Sequence, residues 1–272
     1  MTDQELEERI AAFARWHYEF EFDGGIRTPV PWPGQINRHR QRRRYFFDRL
    51  LALMGGSLSG HRVLDLGCNA GLWSLSSLES GADFVLGIDA NQTYIDQAEL
   101  VFEAKGVERS RYDFVRGNIF EQQLDGQFDV VLCLGIMEVS AKPVELFELM
   151  CGAGAQVIVI DTVVSLARSS YFELAKLHEP RNRVDHELVL LPSVQAVVEL
   201  AAEFGLQTVP LAPNMTDYAG MDDYREQRRL AFICAGDGVS LAGLPRAAPA
   251  RPPAVRWLEQ MSSARLGGRR RS

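Results

Sequence analysis

The chain is poor in the residues that build metal centres and disulfide frameworks: its 272 residues include four cysteines and five histidines. Cys68, Cys133, Cys151 and Cys234 form no CxxC pair, and no histidine stands at zinc-ligand spacing near them. That spacing excludes the common zinc signatures and favours reduced, mostly buried thiols. No metal is expected. Long apolar runs are also missing, since none approaches the roughly 18 residues that a membrane span requires. The first residues, Met1-Thr2-Asp3-Gln4-Glu5, are acidic and lack the apolar region of a secretory leader, so the expected location is the cytoplasm. What remains is ordinary for a globular protein: 46% hydrophobic residues, 24% charged residues and a net charge of −7. Such a length suits one domain of about 200 residues with extensions.

The most informative stretch is Arg62-Val63-Leu64-Asp65-Leu66-Gly67-Cys68-Asn69-Ala70-Gly71-Leu72-Trp73-Ser74. It reads as a short strand, a tight glycine loop and a helix start, the opening of a nucleotide-type βαβ unit. A second acid, Asp89, closes the apolar run Phe84-Val85-Leu86-Gly87-Ile88. A carboxylate at the end of a second strand is placed to accept both hydroxyl protons of a ribose. The loop also lacks something. A dinucleotide fingerprint needs a middle glycine for close approach of a pyrophosphate, and here that position is Asn69. Asp65, ahead of the loop, suits a cationic ligand better than a pyrophosphate. S-adenosylmethionine (SAM), with its ammonium and sulfonium, fits these requirements.

Taken in order, residues 3–15 read as a helix and residues 19–23, alternating acid and aromatic, as a strand or extended arm. Pro29, Pro31 and Pro33 keep the next segment extended. Residues 35–54 read as a helix ending at Gly55-Gly56. Its arginines, Arg38, Arg40, Arg42, Arg43 and Arg44, are expected on a solvated face, making ion pairs with the acidic body, and gripping phosphates is the second option. Strands are then expected at 62–66, 84–88, 112–116, 128–134 and 156–161, alternating with helices at 71–80, 91–105 and 143–151. Residues 162–191 break the alternation, like an insertion on the substrate side of the sheet. A helix at 193–204 and strands at 206–211 and 229–234 follow, the last two as an antiparallel edge hairpin. Residues 236–272, rich in Gly, Pro, Ala and Arg, are expected to be a flexible basic tail with a short helix near 254–262. The expected fold is α/β and Rossmann-like: a mostly parallel seven-stranded sheet with an antiparallel edge strand and helices on both faces. The expected division is an N-terminal arm or lid at 1–55, a cofactor-binding domain at 56–235 and the tail.

The order and spacing of Val63-Leu64-Asp65-Leu66-Gly67-Cys68-Asn69-Ala70-Gly71, Gly87-Ile88-Asp89-Ala90, Gly117-Asn118-Ile119-Phe120 and Phe128-Asp129-Val130-Val131 resemble class I SAM-dependent methyltransferases. The resemblance implies that Asp89 and Ala90 hold the ribose. Asp65, Gly67, Asn69 and Gly71 would shape the amino-acid pocket, Asn118 and the Ile119 amide would meet the adenine, and Leu134 would line the pocket at the fourth strand. Trp16-His17-Tyr18, Gly25-Ile26-Arg27-Thr28-Pro29, Gly81-Ala82 and Leu191-Pro192-Ser193 resemble a narrower branch. That branch contains the enzyme completing the 5-oxyacetyl group on the wobble uridine of tRNA, together with many small-molecule methyltransferases. The chain departs from the tRNA enzyme at Leu134-Gly135-Ile136-Met137-Glu138-Val139, which lacks the usual Tyr-His, and in having no extra basic residues for tRNA.

Methyl transfer from SAM needs alignment of the acceptor and sometimes removal of its proton. Glu138, just past the fourth strand, and His178 and His186, in the insertion, are the candidate bases, and His17 lies in the aromatic arm. The expected activity is methylation of an O or N atom of a small molecule such as a secondary metabolite. A tRNA-modifying carboxymethyl- or methyltransferase is the alternative, and a SAM-binding scaffold without turnover the third reading. The sequence leaves the acceptor and the oligomeric state open.

Overall fold

The computed structural model of the chain describes residues 1–176 and 188–248. Helix α1 (Asp3–Ala11) starts at a capping box in which the Thr2 side chain accepts from the Glu5 amide and the Glu5 carboxylate accepts from the Thr2 amide. This closes two otherwise unsatisfied amides at the helix start. The alternating stretch that follows pairs only at the isolated bridge Glu21↔Arg27. Its aromatics, Trp16, Tyr18, Phe20 and Phe22, are instead buried against the main body. Buried Thr28 fixes the arm, donating to the Tyr18 carbonyl and accepting from the Phe20 amide, each at 2.8 Å.

The expected single helix after the prolines consists of α2 (Pro33–Arg42), a π-helical turn (Arg43–Phe47) and α3 (Asp48–Leu53). The wide turn lets Tyr45, Phe46 and Phe47, consecutive in sequence, all be buried. Such π-turns occur often at functional sites. Strand β1 (Arg62–Leu66), α4 (Leu72–Glu79), β2 (Phe84–Asp89), α5 (Gln92–Ala104), β3 (Tyr112–Arg116), β4 (Val130–Leu134), α6 (Pro143–Gly152) and β5 (Val157–Val163) then alternate as expected. Strand β4 starts two residues later than the apolar run because Phe128 and Asp129 bond outside the ladder, to Ala153 and Arg62.

The insertion contains a separate two-stranded antiparallel sheet, β6 (Phe172–Lys176) with β7 (Leu188–Pro192), which the sequence pattern did not indicate. Helix α7 (Val194–Glu203) is capped by Ser193, and β8 (Gln207–Pro210), the short α8 (Asp222–Arg225) and β9 (Arg229–Ala235) follow. The main sheet has seven strands in the order β3-β2-β1-β4-β5-β9-β8. Strands β1 to β5 are parallel, and β9 runs antiparallel to both β5 and β8. The seven-stranded sheet with a reversed strand near its edge is therefore as expected.

Successive residues of each parallel strand serve opposite faces, which sorts the core into two layers. Val63, Val85, Val130, Leu132 and Val157 face the layer that includes the N-terminal arm and α5. Leu64, Leu66, Val131, Cys133 and Ile158 face the layer containing α6 and α7. Residues 236–248 are not the flexible segment expected: Ala247 donates to the Pro210 carbonyl, Ala212 donates to the Pro245 carbonyl and Leu241 is buried. The expected helix near 254–262 lies outside the described residues. Among the described residues no helix is long and apolar enough to cross a membrane.

Candidate functional site

In a parallel sheet the strand carboxyl ends and their loops form the ligand edge. Here that edge is led by the loop of residues 67–71. The Gly67 and Cys68 amides both donate to the Ile88 carbonyl, which binds the loop to the end of β2. Gly67 and Gly71 have φ of 67° and 78°, and Asn69 between them has φ 52°. Asparagine tolerates this left-handed conformation better than most residues, and its side-chain oxygen accepts from the Ala70 amide at 2.8 Å. The missing middle glycine is thus replaced by a residue that closes its own turn.

Asp89 accepts from the Asn69 amide and from the Asn91 amide, each at 2.9 Å, and is half-buried. It joins the loop to the start of α5 while keeping partial exposure at the edge. Asp65 sits behind the loop, almost fully buried, accepting from Ser74 Oγ at 2.7 Å. Burial, only partly offset by that hydrogen bond, pushes its carboxyl up to about 7. Asp65 therefore ties the loop to α4 from below. Asn118 is exposed, accepts from the Phe120 amide and donates to Glu121. Ile119 and Leu134 are half-buried and Ala90 is exposed. A Cβ on Gly67 would fall 2.2 Å from Ile136 Cδ1, so the segment after β4 lies directly against the loop and glycine is needed there. The sequence-predicted cofactor residues are thus gathered at the carboxyl ends of β1, β2, β3 and β4.

Opposite them stands a feature that the sequence reading placed outside. Every buried residue of α2 is polar: Gln35, His39, Gln41 and Arg42. Arg42 bonds Asp161 through Nε and Nη2 at 2.9 and 2.7 Å, and its guanidinium lies 5.3 Å from the Trp73 ring centre. Trp73 is in the first turn of α4, right after the loop. Arg38 grips Asp223 with two nitrogens at 2.8 and 2.6 Å. Burial pushes the Asp223 carboxyl up, but the Arg38 grip outweighs it and holds the group at about 2. The ion pairs expected of this helix exist, but Arg38 and Arg42 make them inward, and only Arg40 and Arg44 of the five arginines are exposed.

Glu138 belongs to the same network. Arg229 donates to one of its oxygens at 2.5 Å and Thr162 to the other at 2.9 Å, and the side chain is buried. Arg229 also reaches Asp161 and Asp223, and Tyr224 donates to Asp161 at 2.5 Å. Arg38, Arg42 and Arg229 so face Glu138, Asp161 and Asp223, a balanced set of buried and half-buried charges. Glu138 is structurally an ion-pair member, with both oxygens engaged. His178 and His186 lie outside the described residues. His17 packs its ring 5.3 Å from that of His39, and Tyr18 packs 4.6 Å from His39. Burial first, then the nearby Asp65, Cys68 and Asp89, raise the Tyr18 hydroxyl, while Arg42 opposes them. Tyr18 thus stands between the cofactor loop and α2. Sequence reasoning missed Arg42, Asp161, Tyr224, Arg229 and His39. The available signal was a helix whose inward spacing, Gln35-His39-Arg42-Phe46, carries polar residues at core positions.

All four cysteines are free, and among the described residues no group of three or more His, Cys, Asp or Glu is arranged to hold a metal. The site suits a phosphate-free nucleoside with an amino-acid arm: an acid at the end of the second strand and a loop without the dinucleotide glycine.

A methyltransferase domain model matches residues 63–153. The ubiquinone biosynthesis O-methyltransferase of Acinetobacter baylyi is 34% identical over 93 residues, which cover 34% of this chain and 39% of that protein. The mitochondrial ubiquinone biosynthesis O-methyltransferase of Schizosaccharomyces pombe is 34% identical over 93 residues, 34% of each chain. The chain thus matches little more than a third of the length of these curated relatives. Among solved structures, the N-terminal domain of EvdMO1 with SAH bound is 18% identical with a TM-score of 0.65, covering 87% of this chain and 97% of that one. The [4+2]-cyclase SpnF has a TM-score of 0.53 at 13% identity, covering 86% of this chain and 92% of that one. These structures share the fold, and the cyclase shows that the fold alone does not fix a reaction. The narrower resemblance to the tRNA wobble-uridine branch gains nothing from these matches. The loop at 67–71 and strands β2 to β4 thus lie within the segment, residues 63–153, that matches a methyltransferase domain.

Proposed function

We propose that the protein transfers a methyl group from SAM to a hydroxyl oxygen of a small molecule. The observation that carries this reading is the juxtaposition of the loop at 67–71 with α2, a helix whose buried residues are all polar. A purely structural helix would bury an apolar stripe. We read this polar stripe, which reaches the loop's exit where Arg42 covers Trp73, as the side of the site that would receive a polar acceptor. The O-methyltransferase names of the curated relatives support oxygen as the acceptor atom.

SAM, when bound, supplies a methyl group already activated by its sulfonium. This chain supplies position. Asp89 would hold the ribose diol, the loop at Gly67 and Gly71 would seat the amino-acid end, and Asn118 with Ile119 would meet the base. Tyr18, Arg42 and Trp73 would stand on the acceptor side. Alignment of two reactants in this way replaces a bimolecular encounter by a unimolecular one, worth several kcal/mol of barrier. The small-molecule reading is preferred to tRNA because Arg38 and Arg42 are engaged with Asp223 and Asp161 and the chain carries a net charge of −7.

The test is calorimetry with SAM and SAH, followed by transfer of labelled methyl from SAM to a panel of phenols and sugar hydroxyls. Asp89→Ala is expected to weaken SAH binding at least tenfold and to abolish transfer. Failure of the wild-type protein to bind either ligand would overturn the reading.

A further inference from the structure

We propose that His39 is the group that takes the acceptor hydroxyl's proton during methyl transfer, with His17 as its outlet toward solvent. The inference rests on the methyltransferase reading and assigns a catalytic role inside it.

Three observations converge on His39. It is 8% exposed, yet neither ring nitrogen has a partner of hydrogen-bonding geometry, although the backbone of His17 lies beside the ring. A buried imidazole left in this state costs free energy, so a native structure that keeps one calls for an explanation. Secondly, its place is fixed by its neighbours. Tyr18 packs edge-on against it at 4.6 Å and is itself in the field of Asp65, Cys68 and Asp89. Arg42, one turn further along α2, covers Trp73 at the loop's exit. His39 therefore lies on the face of α2 that looks at the cofactor loop. Thirdly, the residue beside it is less enclosed than His39 itself. The half-buried His17 ring stands 5.3 Å away, and its Nδ1 lies 2.9 Å from Gln35 Nε2.

The charged and titratable groups facing His39 are Arg38 and Arg42 from its own helix and His17 and Tyr18 from the arm. Burial, then Arg42 and His17, hold the imidazole well below its ordinary range, so it is a neutral acceptor at neutral pH. The charge balance of the reaction suits this arrangement. The acceptor O–H bond breaks and its proton forms an N–H bond on His39. The oxygen lone pair forms the O–CH3 bond, and the electrons of the S–CH3 bond stay on sulfur. One positive charge is lost at the sulfonium and one is gained at the imidazole. Protonation of His39 is disfavoured while the sulfonium is present and eased once it has gone.

That asymmetry gives a test needing no acceptor. In a protein carrying ¹⁵N-labelled histidine, the His39 ring is titrated by NMR with SAM and with SAH, assigned by loss of its signal in His39→Gln. The midpoint is expected at least half a pH unit lower with SAM, while His39→Gln and His39→Asn bind SAH within threefold of wild type. In the transfer assay both variants are expected to lose at least 100-fold in kcat at pH 7, the ordinary scale for a removed general base. Part of that loss should return at alkaline pH, where a phenol ionises unaided. Equal midpoints with SAM and SAH, or variants with wild-type kcat and pH profile, would overturn the role of His39. So would collapse of SAH binding in both variants, which would make the residue structural. The methyltransferase reading fails separately, and only if the wild-type protein binds neither ligand.

Discussion

Two residues of the loop region show how position decides the effect of a small change. Asp65 is buried under the loop with its carboxyl raised from an ordinary 3.8 to about 7, chiefly by burial. The sign follows from linkage. The folded state holds this proton more tightly than the unfolded chain, so the contribution is complete below about 3.8 and is lost as pH rises through about 7. Asp65→Asn mimics the protonated form and still accepts from Ser74. Its stability relative to wild type should therefore improve from pH 5 to pH 8, by on the order of 1–3 kcal/mol, as read by urea unfolding at the two pH values. An unchanged difference would place the carboxyl's titration elsewhere. Glycines give the companion case. Gly71 and Gly106 both have positive φ, 78° and 65°. A Cβ on Gly71 would meet Phe102, Ala98 and Phe114 at 3.1–3.2 Å, whereas one on Gly106 would meet nothing within 4 Å. Gly106→Ala should cost about 1 kcal/mol of strain alone, and Gly71→Ala should exceed it by a further 1 kcal/mol or so from crowding. Equal losses would mean that the Gly71 surroundings relax freely.

At the scale of elements, the sheet strands and their helices could be read almost residue by residue, because apolar runs and glycine stops follow directly from burial on both faces. The helix that walls the site could not. A run such as Arg38-His39-Arg40-Gln41-Arg42 is read as solvated because charge is costly to bury, and only tertiary partners reverse that. Asp161, Asp223 and Glu138 come from distant parts of the chain, and no local pattern announces their meeting. The β6–β7 pair escaped for a related reason: Glu173 and Leu174 are both exposed, so β6 lacks the alternation of a half-buried strand. The buried network itself is testable. Arg42→Ala leaves Asp161, at 0% exposure, without its nearest cation, and should cost about 3–5 kcal/mol. Arg42→Met combined with Asp161→Asn removes both charges and keeps an acceptor for Tyr224, so it should recover a large part of that loss. Chemical denaturation of the three proteins checks it, and a double variant as unstable as Arg42→Ala would show that the charges are not coupled.

On the scale of the molecule, the seven-stranded sheet carries the cofactor edge, while the N-terminal arm, α2 and the segment between β8 and β9 close over it. These three are joined to one another rather than only to the sheet. Asn37 donates to the Ala219 carbonyl, Gln41 donates to Thr216 and accepts from its amide, and Tyr45 donates to the Leu211 carbonyl. The cover is therefore one cooperative unit, its polar groups bonded largely to one another. A ligand that fills the space beneath should stabilise the arm, α2 and the β8–β9 segment together. At a concentration 100 times its Kd, SAH should add about 2.7 kcal/mol to the folded state, a rise in Tm of roughly 5–10 °C for a domain of this size. Hydrogen exchange with and without SAH locates the effect. Protection is expected to increase at 67–71 and also at 16–20 and 35–42, segments that the sequence separates from the loop but the ion pairs and ring contacts connect to it. Protection confined to 67–71 and 89–91 would show instead that the cover moves independently of the cofactor, and that the chamber is assembled only when the acceptor arrives.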